Sequence, residues 1–362
     1  MKAILFALFV GLLMVGCGES SQPSESTEMN STAPESPNPS GGVDTTDTAP
    51  QKDAIETAVD WSKLEDRDGV TYLPNTDKPF SGYAKRAYEK EQVEVLAQLK
   101  DGYVVRLKQW QENGTPRWDI GFIEGKVRVG GLPWKVEPPL EEGEVSHGLA
   151  TLWHENGQKR IEANYKDGKR DGLYTSWHEN GQKKGEGTYK EGKMDGLSTG
   201  WHENGQKKGE GTYKEGKLDG PVNIWHENGQ KKGELNYKEG EKDGLQTGWY
   251  ENGQKREEGN LKNSKPDGPV NTWYENGQKM KEENYKDGKQ DGLSSFWYEN
   301  GQKMWERNYK DGKLMSAEAW KPNGEKCPVT NVNDGNGVWV LYNDDGTELV
   351  RRTYKDGYPV FD

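Results

Sequence analysis

Histidine is the residue whose spacing first suggests chemistry in this chain. His154, His178, His202 and His226 recur every 24 residues, and imidazoles repeated in one slot invite a ladder of metal sites. Equivalent positions two strands apart in a sheet lie ~9.6 Å from one another, whereas imidazoles sharing a zinc must each bring a nitrogen within ~2.1 Å of it. The same slot holds Tyr250, Tyr274 and Tyr298 in later copies, so it reads as a strand-end position for an amphipathic ring. Asp167-Gly168-Lys169-Arg170-Asp171-Gly172 has the outline of a calcium loop. Lys169 and His178 nevertheless stand where that loop needs oxygen ligands, and the glycines are better explained as turn residues. There is no Gly-x-Ser-x-Gly elbow, no phosphate loop and no Cys/His pairing spaced for catalysis. The expectation is a protein that is not an enzyme and needs neither metal nor cofactor.

What must position any functional side chain is a repeat. The core Trp-(His/Tyr)-Glu-Asn-Gly-Gln-Lys places its Trp at 153, 177, 201, 225, 249, 273 and 297, a strict 24-residue step. Such a period marks a repeat architecture. Each Glu-Asn-Gly lies between two runs of alternating character, the mark of a β-hairpin. Leu173, Thr175 and Trp177 before Gly181, and Gly185, Gly187 and Tyr189 after it, are all an even number of residues from that glycine. A two-residue Asn-Gly turn would pair Trp177 with Lys184. A three-residue Glu-Asn-Gly loop pairs it with Lys183, as a type I turn whose left-handed glycine forms a G1 bulge. The longer loop is preferred because it is expected to gather all six residues on one face. The connection from Tyr189 to Leu197 is expected to keep the same parity. The predicted fold is all-β, an elongated antiparallel meander of tandem β-hairpins with two strands per 24-residue unit. Seven units would extend ~67 Å.

On that reading one face carries an aromatic stripe of Trp153, Tyr165, Trp177, Tyr189, Trp201, Tyr213, Trp225, Tyr237, Trp249, Trp273, Tyr285, Trp297 and Tyr309. The stripe is either the core, each ring stacking on its neighbours and on Lys stems, or an exposed platform for a protein or glycan. Of the 362 residues only 30% are hydrophobic and 47 are glycine, too few apolar side chains for a thick core. A net charge of -12 disfavours nucleic acid, which needs a basic stripe. The partner expected is a protein.

The rest of the chain divides around the array. Residues 1–17 read as a targeting segment: Lys2, then an apolar core from Ala3 to Val15, then Gly16-Cys17. Its ending resembles the lipobox of bacterial lipoproteins, with Met14 in place of the usual Leu. That resemblance implies lipid modification at Cys17, export, and anchoring to a membrane of the cell envelope. Gly18 in place of Asp implies the outer membrane if the organism has one. Residues 18–60 are a polar Ser/Thr/Pro/Glu-rich stretch expected to be a disordered tether. Residues 61–142 read as divergent N-terminal repeats, 143–314 as seven regular repeats and 315–362 as degenerate C-terminal repeats. With Cys17 acylated, Cys327 has no partner within the chain, so no disulfide framework is expected.

The motif Gly-Leu-x-x-x-Trp-x-Glu-Asn-Gly-Gln-Lys followed by Tyr-Lys-(Asp/Glu)-Gly-Lys resembles the MORN-repeat variant of many bacterial proteins, clearly in the central units and more weakly toward both ends. The resemblance implies a scaffold, or a membrane-associated module. Some members of that family carry an antitoxin label, which implies a cytoplasmic partner and conflicts with an export signal. Two readings of function follow. The favoured one is a lipid-anchored, extracytoplasmic scaffold mediating protein contact at the envelope. The alternative is an antitoxin-like or immunity-type protein that neutralises one specific partner.

Overall fold

The computed structural model describes residues 48–89, 92–127, 146–343 and 345–360. The targeting segment with Cys17, the tether up to residue 47, and residues 128–145 between the divergent and regular repeats lie outside these. The chain divides into two compact units, Met1–Pro138 and Pro139–Asp362.

In the first unit a helix, Thr48–Thr57, precedes a short strand, Val59–Asp60, which runs parallel to Gly82–Ala87. Residues 48–60 thus take regular structure where a disordered tether was expected. Ala54 supplies a buried contact, and the Lys85 ammonium donates to Ile55 O at 2.8 Å. Gly82–Ala87 continues antiparallel into Val93–Lys100, Tyr103–Trp110 and Pro116–Gly121. Ala84, Val95, Ala97, Leu99, Val104 and Ile120 form its core. The hairpin geometry anticipates the array: Tyr88 N–H donates to Gln92 O, and the Tyr88 hydroxyl to Trp110 O at 3.0 Å.

The second unit is the meander. From Gly148–Trp153 to Lys313–Ala319 each strand pairs antiparallel with the next, two strands to a repeat. Two kinds of turn alternate. The Glu-Asn-Gly loop ends in a left-handed glycine, φ +81° at Gly181. The other is a two-residue turn with both φ values positive, +49° at Glu191 and +86° at Gly192, a type I′ turn whose twist suits a hairpin. The next strand then re-enters through Asp195-Gly196, where the register slips from Tyr189 opposite Met194 to Gly187 opposite Ser198. In the last repeat this slip is one residue shorter, Tyr309 opposite Leu314 and Asn308 opposite Ser316. That missing residue is why Trp320 follows Trp297 by 23 positions instead of 24.

A three-stranded sheet, Gly337–Tyr342, Glu348–Lys355 and Tyr358–Pro359, closes the far end. Trp339, Val340 and Tyr342 pack with Trp305, Leu314, Ala317, Ala319, Cys327 and Val332 into one buried cluster. The outer edge of Lys313–Ala319 is covered from the same region, through Leu314 N–H to Gly357 O and Ala317 N–H to Val332 O. A free edge there would invite strand addition.

Candidate interaction surface

Around Gly181 the loop is the three-residue one. His178 N–H donates to Gln182 O and Gly181 N–H to His178 O, both at 2.9 Å, and Trp177 stands opposite Lys183. The bulge that follows decides the faces. Lys184 is inserted, so Ser176 pairs with Gly185, Tyr174 with Gly187 and Gly172 with Tyr189. Residues directly opposite in a ladder share a face. Tyr174, Ser176, Gly185, Gly187 and Tyr189 therefore lie on one face, and Leu173, Thr175, Trp177, Lys183 and Glu186 on the other. The single aromatic stripe expected from parity is thus corrected: one inserted residue exchanges the faces of a period-two strand. The second connection departs from its expected parity too. Its two-residue turn sets Tyr189 beside Met194 and leaves Leu197 on the opposite face.

Side-chain contacts agree with two faces. Tyr174 and Tyr189 meet edge to face at 5.8 Å, with the Arg170 guanidinium 5.2 and 5.4 Å from their centroids. This tyrosine face carries Tyr165, Tyr189, Tyr213, Tyr237, Tyr285 and Tyr309 in successive repeats, with Leu261 in the fifth slot. Its glycines seat neighbouring side chains. A Cβ on Gly187 would lie 3.3 Å from Met194 Cε, and one on Gly211 only 2.9 Å from Val222 Cγ2. Val222 is 1% exposed as a result. Burial pushes the Tyr213 and Tyr237 phenols above the ordinary range, each helped by the tyrosine of the preceding repeat. In the sixth repeat Glu283 replaces glycine. It accepts from the Tyr285 hydroxyl at 2.9 Å, Gln290 Nε2 at 2.6 Å and the Lys281 ammonium at 2.6 Å. Burial, with Glu283 behind it, raises Tyr285 strongly.

The tryptophan face is a cation–π ladder. Lys159, Lys183, Lys207, Lys231, Lys255, Lys279 and Lys303 each place their ammonium 5.4 to 5.9 Å from the indole of the following repeat. Each lysine also pairs with the glutamate three residues on, for example Lys207 with Glu210 at 2.6 Å. Trp153, Trp177, Trp201, Trp225, Trp249, Trp273 and Trp297 are half-buried. Beside them on the same face, Leu149, Leu173, Leu197, Leu245 and Leu293 are 41 to 56% exposed. Parity had placed these leucines with the tyrosines, so sequence reasoning missed them as a surface.

The ribbon's edges are zipped from repeat to repeat. Nε2 of His154, His178, His202 and His226 lies 3.0 to 3.2 Å from the carbonyl of the next tryptophan. A carbonyl only accepts, so Nε2 carries the proton. Tyr250, Tyr274 and Tyr298 donate to the equivalent carbonyl at 2.7 to 3.1 Å, which explains why His and Tyr share the slot. The turn asparagines repeat the device, Asn180 Nδ2 donating to Glu203 O at 2.8 Å and Asn204 to Glu227 O at 2.7 Å. At the opposite edge Asp195 accepts from Glu215 N–H and Gly216 N–H donates to Met194 O. Among the described residues no three His, Cys, Asp or Glu side chains converge as a metal set. Cys327 is buried, with its sulfur 3.0 Å from the Tyr342 hydroxyl.

Hairpins zipped only to their neighbours define a β-repeat array, and the family can now be stated. Residues 146–167, 170–191, 194–215, 218–239, 242–263, 266–287 and 290–311 each match the family model of the MORN repeat variant. The stretch 146–311 is thus a tandem of seven such repeats. No curated protein matches the chain. Among solved structures, the crystal structure of TcdB2-TccC3-Cdc42 is similar at 10% identity and a TM-score of 0.16, over 80% of this chain and 18% of that one. The Photorhabdus luminescens Tc holotoxin pore with the TccC3 D651A mutation gives 9% and 0.17, over 73% and 15%. This chain therefore spans less than a fifth of either, and so distant a likeness carries no argument about function.

Proposed function

We propose that this MORN-variant array is a non-catalytic scaffold, held to a membrane of the bacterial cell envelope by a lipid at Cys17, that mediates contact with a protein partner outside the cytoplasm. The observation that supports a scaffold most is what the recurring motif spends its side chains on. Trp, His or Tyr, Asn, Gly, Gln and Lys each engage the adjacent repeat, as stacked repeats require. The Gly16-Cys17 ending of an apolar leader supports the anchor. Radiolabelled palmitate should enter the wild type and be absent from Cys17→Ser. Equal soluble secretion of both would defeat the anchor. Pull-down of the intact protein from native membranes should recover envelope proteins. Recovery of one stoichiometric toxin would instead mark the antitoxin-like alternative.

A further inference from the structure

We propose that three rungs along the Glu-Asn-Gly edge each take one divalent transition-metal ion, of which zinc is the representative. The rungs are His178 with Glu203, His202 with Glu227 and His226 with Glu251, each pair drawn from consecutive repeats. Imidazoles two strands apart are too widely spaced to share an ion. The ligand that meets each imidazole is instead the glutamate 25 residues on, which a search for repeated histidines passes over.

The hydrogen bonds of the ring fix the chemistry. Nε2 donates to the next tryptophan carbonyl, so the neutral imidazole turns the lone pair of Nδ1 toward the carboxylate. Nδ1 lies 3.8, 3.8 and 3.7 Å from Oε1 of the three glutamates. Neither atom has a hydrogen to give, so two acceptors face one another in three successive repeats. That arrangement calls for a cation between them.

Zinc fits the gap. The ion sits ~2.1 Å from each ligand atom and so spans up to ~4.2 Å, and the observed separations fall within that reach. The glutamate side chains are 78 to 82% exposed and free to close toward the ~3.4 Å of a tetrahedral pair, with water in the two remaining positions. A ligating imidazole ordinarily has its far N–H held by a carbonyl or carboxylate, and here the tryptophan carbonyl already does so. Imidazole nitrogen favours transition ions over magnesium and calcium, which take oxygen ligands. Each ion joins one repeat to the next, so binding braces the array by mass action. None of this depends on the lipid anchor or on a protein partner, so it stands or falls separately from the envelope role.

Equilibrium dialysis of the tag-free full chain against zinc chloride tests this, beside two triple variants. The first combines His178→Tyr, His202→Tyr and His226→Tyr. Tyr250, Tyr274 and Tyr298 fill that slot natively and reach the same carbonyl, so this variant keeps its fold. The second combines Glu203→Gln, Glu227→Gln and Glu251→Gln on the exposed edge. The wild type should take up three more ions per chain than the tyrosine variant, one for each rung. The glutamine variant should bind them at least about tenfold more weakly. Zinc should raise the melting temperature of the wild type and leave that of the tyrosine variant unmoved. Equal uptake by the wild type and the tyrosine variant would overturn the proposal. So would a glutamine variant that binds as tightly as wild type, or displacement of the zinc by about a hundredfold excess of magnesium.

Discussion

At the residue scale the account makes the polar consensus structural, and substitution tests separate its parts. His202→Tyr should leave stability within about 0.5 kcal/mol, because a phenol reaches the next tryptophan carbonyl in later repeats. His202→Phe removes that hydrogen bond and should cost about 1 kcal/mol by urea midpoint. The Lys183–Trp201 contact, 5.7 Å from ammonium to ring, should show a coupling of about 0.5–1 kcal/mol in a double-mutant cycle. Tyrosine supplies the pH dependence. Burial, with Glu283 beside it, raises Tyr285, and burial also raises Tyr213 and Tyr237. The folded state therefore keeps protons that the unfolded chain sheds near its ordinary tyrosine value of about 10. Their contribution is complete below that pH and is lost as pH climbs toward the raised values. The melting temperature should fall steadily above about pH 10, with less fall in Tyr285→Phe. A melting curve flat between about pH 9 and 12 would contradict this.

At the scale of the hairpin, two turn geometries carry the fold, and the sequence is informative about one and silent about the other's consequence. The Glu-Asn-Gly loop was legible because the 24-residue step and the Trp177–Lys183 pairing follow from it. The face assignment was not, since it hangs on Lys184, a bulge residue with the same side chain as its neighbour Lys183. The same bulge takes Leu173 off the face of Tyr189, where parity expected it. The helix Thr48–Thr57 was hidden within a polar stretch whose few apolar residues, Ala54 and Ile55 among them, found a strand to pack beside. Turn glycines differ in what they exclude. Gly205 sits at φ +81°, and a Cβ there would fall 2.3 Å from Gln182 Oε1. Gly220 sits at +110° with open space around it. Both Ala substitutions incur the left-handed backbone cost of about 1–2 kcal/mol. The Gln182 amide is the exposed end of a flexible side chain that can swing aside, so Gly205→Ala should stay within about 0.5 kcal/mol of Gly220→Ala, which thermal denaturation of the two variants checks.

At the scale of the molecule, the array needs its cap and tolerates a change of length. Trp339 lies over the Arg307 guanidinium at 3.9 Å, with Trp305 on the guanidinium's other contact at 4.3 Å. Trp339→Ala should cost about 3–5 kcal/mol of the cap and promote aggregation measurable by light scattering. Everything else rests on repeats that answer only to their neighbours. Removing residues 194–217, one whole 24-residue step, joins Lys193 to Leu218 in the place of Met194 and keeps every ladder in register. That deletion variant should fold with unchanged circular dichroism per residue, melt cooperatively and lose only a few degrees of melting temperature. A deletion variant without β-structure, or one that melts in two separate steps, would contradict the nearest-neighbour ribbon.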